Sequence, residues 1–296
     1  MTSPALLLTG ATGYIGRRLV PALQGSWKVF RASRTAAGEG ALDMDLAKSD
    51  SIRRAFDAAA PQVVIHAGGE SDPDACEKDP DRAKRVNVDA VKTLGMLCGA
   101  SGTRLVYFST DLVFDGERGW YTEGDIPNPG GVYARGKVAG EEAALVRAPG
   151  AVVLRISTAY GRPLGGRPGF VDVMRANLAA GETVSAFTDQ WRTSTAADQL
   201  PEVVAKLLAD PDLEGVFHWG GAERATRFEA AVTFARVMGF NENLIHPGRA
   251  IDVKFASPRP RDSSLDSSRL AVAIGLAPLT YEAGFKALRG AWGWSS

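Results

Sequence analysis

The chain has 296 residues, 45% hydrophobic and 23% charged, with Lys+Arg and Asp+Glu both at 34. A chain of this length sustains one large core or two interleaved lobes, and its balanced charge, without a basic tract, argues against a nucleic-acid partner. Cys76 and Cys98 lack metal-ligand spacing and are expected as reduced thiols, with no metal site. The apolar run from Pro4 to Leu8 follows no basic segment, and no later run reaches the length of a membrane span, so no membrane partner and a cytoplasmic location are expected.

In chain order, Ala5 to Thr9 is an apolar run without alternation, as in a strand buried on both faces of a parallel sheet. Tyr14 to Leu23 has helical spacing and Trp27 to Arg31 reads as a second strand, which completes one βαβ unit. The rhythm continues with a helix Ser51–Ala59, a strand Gln62–His66, a long helix Asp81–Ala100 and a strand Arg104–Phe108. A helix Val132–Arg147 and a strand Ala151–Arg155 follow. This alternation predicts an α/β fold with a doubly wound parallel sheet of the Rossmann type. Residues 1–156 form the dinucleotide-binding part in this reading. From 157 to 296, Gly- and Pro-rich loops (Gly161 to Gly169) and shorter elements suggest a smaller, interleaved substrate lobe. A helix Asp198–Ala209 and a strand Gly215–Trp219 predict a return to the sheet within 193–220.

The turn after the first strand reads Gly10-Ala-Thr12-Gly13-Tyr14-Ile15-Gly16. Placed between a strand and a helix start, its backbone N–H groups and the positive helix end can face a pyrophosphate. An NAD-selective site carries a carboxylate at the end of the second strand, but here the segment is Phe30-Arg-Ala-Ser-Arg34. Arg31, Ser33 and Arg34 could instead surround a 2′-phosphate, which favours NADP(H), with NAD(H) kept as the alternative. Tyr133 and Lys137 are four residues apart, hence on one helix face. A nearby ammonium is expected to lower the phenol's pKa, and Thr110, at the end of the fourth predicted strand, can donate to a carbonyl oxygen.

With the glycine turn, a hydroxyl residue after strand four and Tyr133-x-x-x-Lys137, the chain resembles the extended short-chain dehydrogenase/reductases. Within them it is most similar to the dTDP-4-dehydrorhamnose reductases, through Arg85–Val88, Ser109–Gly116, Val138–Glu141 and Arg259–Asp266. The resemblance implies a catalytic triad of Thr110, Tyr133 and Lys137, with Tyr133 and Lys137 also touching the cofactor. It also implies Asp45 and Leu46 beside the adenine, Ala67, Gly68 and Gly69 lining the cofactor, and Thr110 and Asp111 on the sugar. The implied reaction is hydride transfer to the C4 keto group of a nucleotide-linked 4-keto-6-deoxy sugar.

The dehydratases of the family carry Asp-Glu where this chain has Asp111-Leu112, and the epimerase-reductases add a Cys and a His that have no equivalent here. Thr158 stands where the rhamnose reductases place a sugar-packing Trp, so Trp191 or Arg192 is expected to take over substrate contact; Trp191 reads equally as packing between lobes. The regulatory subunit of methionine adenosyltransferase, a non-catalytic NADP binder, also resembles this group, and a non-sugar carbonyl is a third reading. His66 reads as a core histidine, while His218 and His246 lack metal-like partners. Asn87 reads as a bridge near the site or as a helix-surface residue. The aromatic tail Trp292-Gly-Trp294 reads as a docking end or interface pair, and the sequence permits a homodimer.

Overall fold

The computed structural model describes residues 3–35, 37–165 and 168–291; Trp292 and Trp294 lie outside them. Leu6, Leu7 and Leu8 have no exposed surface. Successive strand side chains point to opposite faces, so this requires cover on both sides. Their strand, β1 (Ala5–Thr9), is accordingly interior to a sheet whose other members in the first part of the chain are β2 (Lys28–Ser33), β3 (Ala41–Asp43), β4 (Val63–His66), β5 (Arg104–Thr110) and β6 (Val152–Ile156). Four short strands follow, β7 (Ala159–Tyr160), β8 (Val184–Phe187), β9 (Trp191–Arg192) and β10 (Thr195–Ala196), before β11 (Gly215–Trp219) rejoins the sheet. All seven sheet strands are parallel, in the order β11-β6-β5-β4-β1-β2-β3. The doubly wound fold is as expected.

One face packs Leu6, Leu8, Ile65, Val106 and Leu154 against α1 (Gly16–Leu23) and, further along the chain, Leu200–Ala209 and Ser268–Ile274. The other packs Leu7, Val64, Leu105 and Val153 against α2 (Ser49–Ala59), α5 (Ala90–Ser101) and α6 (Val132–Arg147). The short α3 (Pro73–Lys78) and α4 (Pro80–Lys84) lie between α2 and α5 in the chain. The remaining helices are α7 (Phe170–Ala179), α8 (Leu200–Ala209), α9 (Arg227–Met238), α10 (Ser268–Ile274) and α11 (Tyr281–Ala291). A separate core of Tyr160, Met174, Phe234, Tyr281 and Phe285 joins α7, α9 and α11 to the parallel pair β8 and β13 (Ile245–Gly248), and β9 pairs with β12 (Ala225–Thr226).

Two elements differ from expectation. The helix predicted over Asp81–Ala100 starts at Pro80, where proline suits a first helical turn, and is interrupted by a π-helical turn over Arg85–Asp89. The extra residue of such a turn changes which side chains face inward, and Asn87 is buried. Strand β3 had no counterpart in the sequence reading, because its three residues are only partly covered and carry no apolar run.

Strand order reverses between β1 and β4, and open α/β sheets bind ligands in the crevice at such a switch point. The turns after these two strands are the glycine turn and Ala67–Gly69.

Candidate active site

Gly10 has φ +67°, and a Cβ there would lie 2.6 Å from the Gly68 Cα. The two turns thus meet backbone to backbone, an approach that side chains would block. Together they floor a cavity of about 420 Å³. Gly10, Thr12, Gly13, Tyr14 and Ile15 line it at one end, Ser33, Arg34, Asp45 and Leu46 along one wall, and Ala67, Gly68 and Gly69 along another, with Tyr133 and Lys137 also on its surface. An elongated dinucleotide fits this donor set: amides at a helix start, a cation beyond β2 and a proton-bearing pair at the far end.

Two predicted cofactor residues lie elsewhere. Arg31, expected at the 2′-phosphate, does not line the cavity; its guanidinium donates to the Ala37 and Glu39 carbonyls at 2.9 and 2.6 Å. Gly16 sits behind the turn, where a Cβ would reach 2.2 Å from the Gly10 oxygen, so its role is to let α1 approach the turn rather than to face a ligand.

Asn87 and Glu70 line the cavity without having been assigned to it. Asn87 accepts the Glu70 N–H and donates to the Glu70 carbonyl, both at 2.9 Å, and so clamps the loop after β4. This is the bridging reading of Asn87. His66 bears out the core reading: it is buried, its Nδ1 lies 2.6 Å from the Thr9 hydroxyl, and burial followed by the Lys137 charge lowers its pKa to about 3. It is therefore a neutral ring at ordinary pH.

Tyr133 and Lys137 are on α6, whose Gly131 start and i, i+4 spacing bring both to the end of β5. Lys137 Nζ donates to the Phe108 carbonyl at 2.6 Å and lies 4.1 Å from the Tyr107 ring centre. Burial lowers its pKa to about 7 against an opposing pull from Glu141. The expected depression of the Tyr133 pKa is not found. Burial pushes the phenol well above its ordinary range, and the ammonium that was to offset this is engaged at Phe108.

Below this pair, Glu141 is held by the Ser109 hydroxyl and by Arg155, whose Nε and Nη2 reach its two oxygens at 2.9 and 2.6 Å. His218 Nε2 lies 3.3 Å from Arg155, and burial followed by that guanidinium lowers its pKa to about 4. This network was not read from the sequence; Glu141 stood out only as part of a motif.

The predicted substrate residues are mostly spoken for by protein. Thr110 is buried, and Asp111 is 2% exposed and bonded to Thr110, Ser157 and Ser263. Arg192, also buried, donates to the Trp191, Arg261 and Pro260 carbonyls and pairs with Asp111 at 3.6 Å. Asp111 and Arg192, expected as sugar contacts, are engaged here by protein partners and brace the second lobe against the end of β5. Thr158 lines none of the cavities described; its carbonyl accepts the Thr195 N–H at 3.0 Å. Trp191 is partly buried, with the guanidinium carbons of Arg224 and Arg261 at 5.0 and 5.2 Å from its ring centre, so it packs within the substrate lobe.

A second pocket of about 80 Å³, lined by Leu112, Phe114, Pro258 and Arg259, shares Tyr133 with the first cavity. It continues through Ser257, Pro258 and Arg259 into a groove of about 560 Å³ that holds Arg249, Arg261 and Phe255. No cluster of three metal-ligating side chains occurs among the described residues, and no helix among them is long and apolar enough to cross a membrane.

This fold and site define an NAD(P)-dependent oxidoreductase of the extended short-chain dehydrogenase/reductase type. The chain belongs to the RmlD substrate binding domain family, whose model matches residues 4–290. It is 34% identical over 275 residues to methionine adenosyltransferase 2 subunit beta of Bos taurus, covering 90% of this chain and 81% of that one. The probable low-salt glycan biosynthesis reductase Agl14 of Haloferax volcanii is 31% identical over 293 residues, covering 96% and 97%. Among solved structures, a hypothetical dTDP-4-dehydrorhamnose reductase from Sulfolobus tokodaii aligns with TM-score 0.85 and 30% identity over 93% of this chain and 97% of its own. The Bacillus anthracis dTDP-4-dehydrorhamnose reductase, solved with NADP, shares the fold at TM-score 0.88 and 24% identity, covering 97% and 99%.

Proposed function

We propose that the chain is an NADP(H)-dependent reductase acting on the keto group of a nucleotide-linked 4-keto-6-deoxy sugar. The observation that carries this reading is the position of Tyr133, shared by the dinucleotide-sized cavity and the pocket beside it. A phenol there can reach a carbonyl oxygen brought in from the second pocket while the cofactor occupies the first. The bound nicotinamide supplies the hydride. Gly10, Gly13 and the start of α1 hold the pyrophosphate, Arg34 and Ser33 take the 2′-phosphate, Lys137 holds the nicotinamide ribose, and Tyr133 delivers the proton. The three arginines of the adjoining groove suit the negative charge of a nucleotide diphosphate.

The 34% identity to methionine adenosyltransferase 2 subunit beta favours a second reading, an NADP-binding subunit that works by association. Turnover separates the two. NADPH oxidation assayed across a panel of nucleotide-linked keto sugars should find a substrate, and Tyr133→Phe should lower kcat by at least about 100-fold with NADPH binding kept. Tight NADPH binding with no turnover on any member would transfer the conclusion to the second reading.

A further inference from the structure

The first turn of α6 carries Tyr133 but has no side-chain cap of its own. It starts at Gly131, and the N-terminus of a helix leaves backbone N–H groups in need of acceptors. The acceptor comes from another element. Glu77 on α3 takes the Val132 N–H on its Oε1 at 2.7 Å, and the same oxygen accepts the Ser257 hydroxyl at 3.2 Å. One atom of α3 therefore holds both the residue before Tyr133 and the segment 257–259, which lines the pocket beside Tyr133 and the arginine groove.

One turn earlier on α3, Asp74 grips the same segment. Its Oδ1 accepts the Ser257 N–H at 2.8 Å and its Oδ2 pairs with the Arg259 Nη2 at 3.0 Å. The three elements meet too closely for a side chain between them: a Cβ on Gly131 would lie 2.4 Å from the Ser257 Oγ and 2.9 Å from the Glu77 Oε1. The helix start and the pocket wall are thus both registered on α3.

We infer that Glu77 is a positioning residue for Tyr133, which fixes the first turn of α6 to the wall of the adjoining pocket and so sets the phenol at the distance that a carbonyl bound there requires. This deepens the reductase reading and rests on it. Glu77 lines neither of the two cavities that share Tyr133, so it acts only through the groups it holds. Proton transfer needs donor and acceptor within hydrogen-bond reach, and a misplacement of about 1 Å can lower a rate about 100-fold. Loss of the clamp should therefore appear in turnover and leave the hold of the glycine turn on the cofactor intact.

The test turns on reach rather than charge. Glu77→Asp keeps the carboxylate but withdraws it by one methylene, about 1.5 Å, so that it no longer spans to both donors. Glu77→Gln gives up the charge but keeps an oxygen in place to accept both bonds. With the substrate found by the panel assay, kcat should fall at least about tenfold in Glu77→Asp, with the NADPH dissociation constant unchanged, and should be largely recovered in Glu77→Gln. Ser257→Ala, a milder loss, should show the same split between kcat and NADPH affinity. Hydrogen exchange gives a readout that needs no turnover: the Val132 and Ser257 amides should both exchange faster in Glu77→Asp and not in Glu77→Gln. An unchanged kcat in Glu77→Asp, a folded Glu77→Gln as slow as Glu77→Asp, or a Val132 amide that keeps its parent exchange rate in Glu77→Asp overturns the inference. A panel without a substrate would instead count against the reductase reading in the parent protein, and the exchange comparison would still decide the clamp.

Discussion

At the scale of single residues, the two arginines near the end of β2 show how far sequence reasoning reaches. Both were read from one stretch of chain; in the structure Arg31 donates to two loop carbonyls and Arg34 lines the cavity. Arg34→Ala is expected to weaken NADPH binding by about tenfold, equivalent to about 1.4 kcal/mol, and NADH binding far less. Arg31→Ala should leave the NADPH/NADH ratio unchanged; fluorescence titration of both cofactors checks it. Lys137 carries a pH signature. Its pKa of about 7 means that the ammonium is lost as pH rises through neutrality. Reductase kcat/KM should fall above about pH 7 with a one-proton slope, and that limb should be missing in Lys137→Met. For stability the sign is opposite. Between about pH 7 and the ordinary lysine range the unfolded chain holds a proton that the folded chain has released, so this group makes stability rise with pH over that window. The glycine turn and the Tyr133–Lys137 pair, which the structure brings to one cavity, could be picked out from spacing and type. The fate of Asp111 and Arg192 could not, because their partners lie tens to more than a hundred residues away in sequence.

At the scale of elements, strands with uninterrupted apolar runs were legible because two-sided burial leaves no room for polar alternation. Strand β11 and helix α6 match their expected bounds. The π-helical turn left no such trace in composition; it carries Asn87, whose side chain grips the loop after β4. Asn87→Ala removes both bonds to Glu70 and should destabilise the protein by about 1–3 kcal/mol. Amide exchange at Glu70 should rise by more than that at strand β1, since the loop loosens while the sheet remains. Equal exchange at Glu70 in the two proteins would argue that other contacts hold the loop.

At the scale of the whole molecule, the chain repeatedly crosses between the sheet and the part built around the separate core of Tyr160, Phe234 and Phe285. Arg18 on α1 pairs with Asp198 at 3.0 Å, Asp111 with Arg192, and β11 returns to the sheet edge beside β6. The buried Glu141–Arg155 pair ties α6, which carries Tyr133 and Lys137, to that edge. Glu141→Gln leaves the guanidinium without its counter-charge and should cost about 3–5 kcal/mol in chemical denaturation, whereas Glu141→Gln combined with Arg155→Met should recover part of the loss. The interleaving also bears on how such proteins diversify. A single genetic exchange cannot lift out the substrate lobe as a cassette, because β11 and α8 belong to the sheet while the segments on both sides of them belong to the lobe. Under the proposed function, a change of substrate would come by substitutions along the pocket and the arginine groove, within a frame inherited whole.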